Sequence, residues 1–83
     1  MSYTVDWSER ATSTGSRFLA DDPAGLAQVM QATDALADEP RPAASAPYGS
    51  ADLRRLRVGR YRVMYEIYPD AQAITVMHVS RVA

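Results

Sequence analysis

Five arginines, Arg54, Arg55, Arg57, Arg60 and Arg62, fall within nine residues that contain no acid. Guanidinium offers a planar fork of donors that fits phosphate oxygens, so this cluster points to an anionic, phosphate-bearing partner. Every basic residue of the chain is Arg, and the other four arginines and all ten acids lie outside the cluster. The net charge of −1 argues against non-specific nucleic-acid binding. The distribution says more than the sum: it implies a dipolar molecule with one basic patch. Arginine holds its proton too firmly to act as a general base or acid. Two other groups qualify by type. Glu66 lies just beyond the cluster, and His78 is the single histidine, a residue type that titrates near about 6.5.

A hairpin positions the cluster. Gly59-Arg60 is a Gly-first two-residue turn, which suits type II′. That register pairs Val58 with Tyr61, Arg57 with Arg62, Leu56 with Val63 and Arg55 with Met64. Alternation then puts Leu56, Val58, Tyr61, Val63, Tyr65 and Ile67 on one face, and Arg55, Arg57, Arg62, Met64 and Glu66 on the other. Directly opposed like charges destabilise a hairpin, and an anionic partner would offset that cost. The plainer alternative is a solvated face on which Glu66 pairs with Arg62. Pro69-Asp70 turns the chain into a last strand, Ala73 to Val79. With 69–72 as the loop, Ile67 faces Ile74 and Met64 faces Met77. Thr75, Met77, Val79 and Arg81 then join the arginine face, and His78 falls on the apolar side as a structural residue. A one-residue slip would exchange the two faces.

The first half supplies the layer above the sheet. Tyr3, Val5 and Trp7 alternate with polar residues and read as a strand. Ser8 caps a helix whose face is Ala11, Gly15, Phe18 and Leu19, with Glu9 in its first turn. The run Thr12-Ser13-Thr14-Gly15-Ser16 has poor propensity and predicts a short or frayed helix. Asp22-Pro23 restarts a helix carrying Leu26, Val29, Met30, Thr33, Leu36 and Ala37, which ends at Asp38-Glu39-Pro40. Residues 38–52 hold three prolines and read as a loop. The expected class is α+β, in the order β-α-α-β-β-β, with two helices on one face of a small, mainly antiparallel sheet.

At 83 residues the chain makes one domain, 1–83. No cysteine is present, which removes disulfides, thiol catalysis and zinc-thiolate sites. The start, Met1-Ser2-Tyr3-Thr4-Val5, does not read as a signal peptide, and no run approaches the roughly 18 apolar residues of a membrane span. A cytoplasmic protein without membrane contact, metal or other cofactor is expected.

The stretch Leu56-Arg57-Val58-Gly59-Arg60-Tyr61-Arg62-Val63-Met64-Tyr65-Glu66-Ile67 resembles the "LRVGxYRVxYEI" core of the RelE/ParE toxin superfamily. Val5-Asp6-Trp7-Ser8 with Ala11 resembles the family's opening strand and helix start. Leu36 with Pro40-Arg41-Pro42 resembles its helix-to-loop segment. Ile74-Thr75-Val76-Met77-His78-Val79-Ser80-Arg81 resembles the closing strand and its basic end.

The resemblance implies a fold like that of microbial ribonucleases, and a type II toxin held inactive by a cognate antitoxin of the RelB/YefM kind in a toxin–antitoxin hetero-oligomer. RelE members cut mRNA in the ribosomal A site, by attack of a ribose 2′-OH on the adjacent phosphate. On that pattern Arg62 matches the strand arginine that stabilises the transition state, and Arg81 matches the basic terminus. Glu66 is a candidate base. Arg54, Arg55, Arg57 and Arg60 are assigned to binding the RNA backbone. Two departures stand out: RelE-type sites use lysines and often a C-terminal Tyr or His, whereas this sequence has no Lys and its last residue is Ala83. The alternatives are a ParE-like inhibitor that binds gyrase, and a weak toxin that mainly binds its antitoxin.

Overall fold

The computed structural model describes residues 2–82. The chain runs β1 (Thr4–Trp7), α1 (Glu9–Asp21), α2 (Pro23–Ala35), β2 (Ser45–Pro47), β3 (Leu53–Val58), β4 (Tyr61–Tyr68) and β5 (Ala73–Arg81). A short 3-10 turn, Pro69–Ala71, joins β4 to β5. The five strands form one sheet in the order β1-β5-β4-β3-β2. All neighbours are antiparallel except β1 and β5, which run parallel with Val5 beside Ile74 and Trp7 beside Val76. The helices lie on one face, so the class is α+β as expected, with one strand more than expected.

That extra strand is β2, inside the segment predicted to be a loop. Its composition, Ser45-Ala46-Pro47, gives no strand signal. Proline is tolerated there because β2 is an edge, pairing with β3 on one side alone.

α1 is neither short nor frayed. It holds 13 residues, capped by Ser8, whose hydroxyl accepts from the Ala11 N–H at 3.1 Å. Tertiary packing overrides the weak propensity. Gly15, the poorest helix former in the run, is buried, and a Cβ there would lie 3.0 Å from the Trp7 ring. The glycine lets the helix settle onto that indole. Leu19, placed on the apolar face by its spacing, is exposed, as is Met30 on α2.

Asp22 both ends α1 and caps α2, its carboxylate accepting from the Gly25 N–H at 3.1 Å. Leu26, Val29 and Thr33 of α2, with Leu36 just beyond, meet Leu56, Val63, Tyr65, Ile67, Ile74, Val76 and Val79 of the sheet. Thr33 is buried without loss because its hydroxyl donates to the Met30 carbonyl at 3.0 Å. Tyr61 and Tyr65 are core residues whose hydroxyls reach Asp22 and the Pro40 carbonyl, at 2.8 and 2.6 Å.

Candidate nucleic-acid interface

The turn Gly59-Arg60 sets the site. Gly59 has φ +58° and Arg60 does not take a positive φ, which matches the II′ pattern. The four predicted pairs follow: Val58 with Tyr61, Arg57 with Arg62, Leu56 with Val63, Arg55 with Met64. Across the open face of the sheet, one row reads Arg57–Arg62–Ser80 and the next Arg55–Met64–His78. Ladder neighbours and diagonals lie within roughly 8 Å, so the three arginines form one group.

The ion pairs among the described residues use Arg41, Arg60 and Arg81, and none involves Arg55, Arg57 or Arg62. Arg62 folds back along its strand, donating to the carbonyls of Gly59 and Tyr61 at 3.0 and 2.9 Å. Arg55 stacks over Tyr48, 5.3 Å from the ring centroid. Between these arginines and the segment Ala43 to Ala46 lies a groove of about 250 Å³. Uncompensated guanidiniums beside a groove are suited to a polyanion.

Glu66 shares the open face and lies diagonal to Arg55, but it is far from Arg62. It lies four positions along the strand from Arg62, about 13 Å. Its carboxylate instead accepts from the Tyr68 hydroxyl at 2.9 Å, which holds that phenol above its usual titration range. Among the described residues, the Glu66–Arg62 ion pair of the plainer alternative does not form.

Three other predicted site residues point elsewhere. Arg54 has the parity of Leu56 and fastens the β2 edge, with Nε donating to Ser45 Oγ at 3.0 Å and Nη1 to the Ala51 carbonyl at 3.1 Å. Arg60 leans from the turn toward Asp22, 3.6 Å away. Arg81 lies on the helix side, opposite Tyr61 in the ladder. Its Nη1 donates to Asp21 at 2.6 Å, and its guanidinium lies over Phe18 and Tyr61, 4.8 and 6.0 Å from the ring centroids. The Asp21 bond raises the Arg81 pKa further above its already high ordinary value. Close by, the Tyr61 hydroxyl, the Gly25 N–H and Arg60 hold the Asp22 carboxyl below the usual carboxylate range.

The cause of the Arg81 reversal is a β-bulge. Ile67 faces Ile74 as expected, but the ladder shifts between Met64 and Tyr65, so that Tyr65 faces Val76 and Met64 faces His78, not Met77. Met77 is the extra residue. Beyond it the parity inverts. Val79 turns into the core, Arg81 turns to the helices, and His78 joins the arginine face with Ser80. The sequence carries one signal of this. Ile74 and Val76 are two apart, whereas Val76 and Val79 are three apart, which a regular strand cannot bury together.

Among the described residues, no group of three or more His, Asp or Glu is placed to hold a metal, and no helix is long and apolar enough to cross a membrane. A second groove, of about 270 Å³ between α1 and α2, is lined by Trp7, Leu19, Leu26 and Met30 and is almost wholly apolar.

Residues 16–83 match the family model for the ParE toxin of the type II toxin–antitoxin system parDE. No curated protein matches the chain. Solved structures match its fold. One is the RelBE2 toxin–antitoxin complex of Mycobacterium tuberculosis, with TM-score 0.83 and 22% identity over 99% of this chain and 100% of that one. Another is the isolated Escherichia coli RelE toxin, with TM-score 0.82 and 19% identity over 98% of this chain and 85% of that one. The chromosomal ParDE system of Pseudomonas aeruginosa gives TM-score 0.73 and 11% identity over 98% and 97%. The hairpin core, the two-helix-on-sheet architecture and a family model spanning most of the chain agree: this chain belongs to the RelE/ParE superfamily of type II toxin–antitoxin toxins.

Proposed function

We propose that this toxin inhibits translation by cleaving mRNA in the ribosomal A site, and that a cognate antitoxin of the RelB/YefM kind neutralises it in a hetero-oligomer. One observation carries the reading: Arg55, Arg57 and Arg62 share an open face with no carboxylate paired to them. In-line attack of a 2′-OH on the neighbouring phosphate builds negative charge on the phosphoryl oxygens. Donors already fixed in place stabilise that charge best. Arg62, at the centre of the group, takes this role, while Arg55 and Arg57 bind and orient the backbone. Arg81, bonded to Asp21, holds the fold instead. The antitoxin is supported by fold relatives solved as RelE–RelB complexes, one of them archaeal, from Pyrococcus horikoshii. A ribosomal target puts the action in the cytoplasm.

A second reading has its own support. The matching family model is the ParE toxin, and ParE members act on DNA gyrase. Purified protein added to programmed ribosomes separates the two, alongside a gyrase supercoiling assay. Cuts phased to the A site are expected. Absence of cuts together with blocked supercoiling would overturn the ribonuclease reading. Arg62→Ala is expected to abolish growth inhibition while leaving antitoxin affinity intact, measured by induction on plates and by titration calorimetry.

A further inference from the structure

The arginine face is suited to phosphate, but an arginine cannot take up a proton. Of the acids on that face, Glu66 is bonded to Tyr68 and is remote from Arg62, and Asp6 lies beyond β5 on β1. The bulge at Met77 brings a different group there. His78 faces Met64, next to the row of Arg57 and Arg62, and so sits diagonal to Arg62 at roughly 7–8 Å between backbone positions. An imidazole and a guanidinium both extend well beyond that lattice, so one phosphodiester can meet both.

The half-buried His78 side chain also carries an anomaly. Its Nδ1 is buried with no hydrogen-bond partner, the one such side-chain atom among the described residues. A valine or leucine at this strand position would leave no polar atom unpaired. Packing therefore gives no account of a histidine here. With Nδ1 closed off, a proton passes to or from the ring through Nε2. β1 ends at Trp7, beside Val76, so among the described residues no strand covers the outer edge of β5 at His78. The charged groups on this face are Arg62 and Glu66 of β4, Arg55 and Arg57 of β3 and Asp6 of β1.

We infer that His78 is the general base of the arginine face, an inference that rests on the ribonuclease reading above. Nε2 takes the proton of the attacking ribose 2′-OH as the O2′–P bond forms. The P–O5′ bond breaks, and the leaving 5′-oxygen takes a proton from water. The hydroxide left behind is neutralised by the imidazolium. The products are a 2′,3′-cyclic phosphate and a 5′-hydroxyl. Arg62 stabilises the phosphoryl charge between the two oxygens.

The test uses full-length protein on programmed ribosomes. His78→Gln keeps size and polarity but cannot accept a proton. It is expected to slow cleavage at least about a hundredfold, with ribosome binding unchanged. His78→Ala is expected to be equally slow and to recover with added imidazole. Wild-type cleavage with a near-normal His78→Gln rate would overturn the inference and leave the ribonuclease reading standing. Slow variants that imidazole does not rescue would also overturn it, because a merely structural loss behaves so. No cleavage by the wild type would remove both. Should the variants fail to fold, the wild-type protein decides: as the single histidine, His78 gives isolated ring resonances. These should move on addition of a short RNA blocked by one 2′-deoxy sugar, and unmoved resonances would refute the assignment.

Discussion

Arg57 and Arg62 oppose each other across the hairpin with no acid beside them. In the free protein this repulsion weakens the pair; on a bound polyanion the same charges bind. Stability and binding therefore move in opposite directions at this position. Arg57→Thr places a strand-favouring neutral residue there, and the domain should gain about 0.2–1 kcal/mol in urea melts. Binding to single-stranded RNA should weaken, and the slope of log affinity against log salt should fall by about 0.7 for one lost phosphate contact. A variant that loses stability and keeps its salt slope would mean that Arg57 serves the fold. The β3 and β4 residues of this face were legible in the sequence because local chemistry determines them. A Gly-first turn fixes the register of β3 and β4, and strict alternation does the rest. Arg54 could have been sorted by the same alternation, since it has the parity of Leu56. Its place in the charge cluster obscured that.

At the level of elements, the sequence misleads wherever the cause of a structure is distant along the chain. α1 is a full helix because β1 offers it a tryptophan, and no propensity within 9–21 records that contact. Ala at a mid-helix glycine ordinarily gains about 1 kcal/mol. Here Gly15→Ala should lower the melting temperature, because the added methyl meets the Trp7 ring at 3.0 Å. β2 is likewise a strand by virtue of its partner β3, not of its composition. The end of β5 is misread for a third reason: a strand that keeps one parity throughout is the simplest assumption, and Met77 breaks it. The consequence for Arg81 is testable. Its guanidinium ties β5 to the end of α1 through Asp21 and Phe18. Arg81→Ala should lower the melting temperature yet leave cleavage per folded molecule near normal. Loss of cleavage in a fully folded variant would return Arg81 to the chemistry.

For the whole molecule, Asp22 is the point where the two helices and the central hairpin meet. It receives bonds from Gly25 of α2 and Tyr61 of β4, and it faces Arg60 of the turn. These partners depress its folded pKa below the ordinary 3.8. Its contribution to stability is complete above that ordinary value and fades as pH falls through the lower folded one. Thermal melts taken from neutral pH down through the carboxylate range should show wild type losing stability faster than Asp22→Asn, which begins less stable. Parallel curves would show that the junction does not depend on this charge. The bulge, finally, bears on how such a chain tolerates change in length. Removing a residue from a strand normally reverses every side chain after it. At Met77 it would not, because Val76, His78 and Val79 already face Tyr65, Met64 and Val63. Met77 is the place where β5 can lose a codon and keep inside and outside apart, so related genes can differ in length there without differing in architecture.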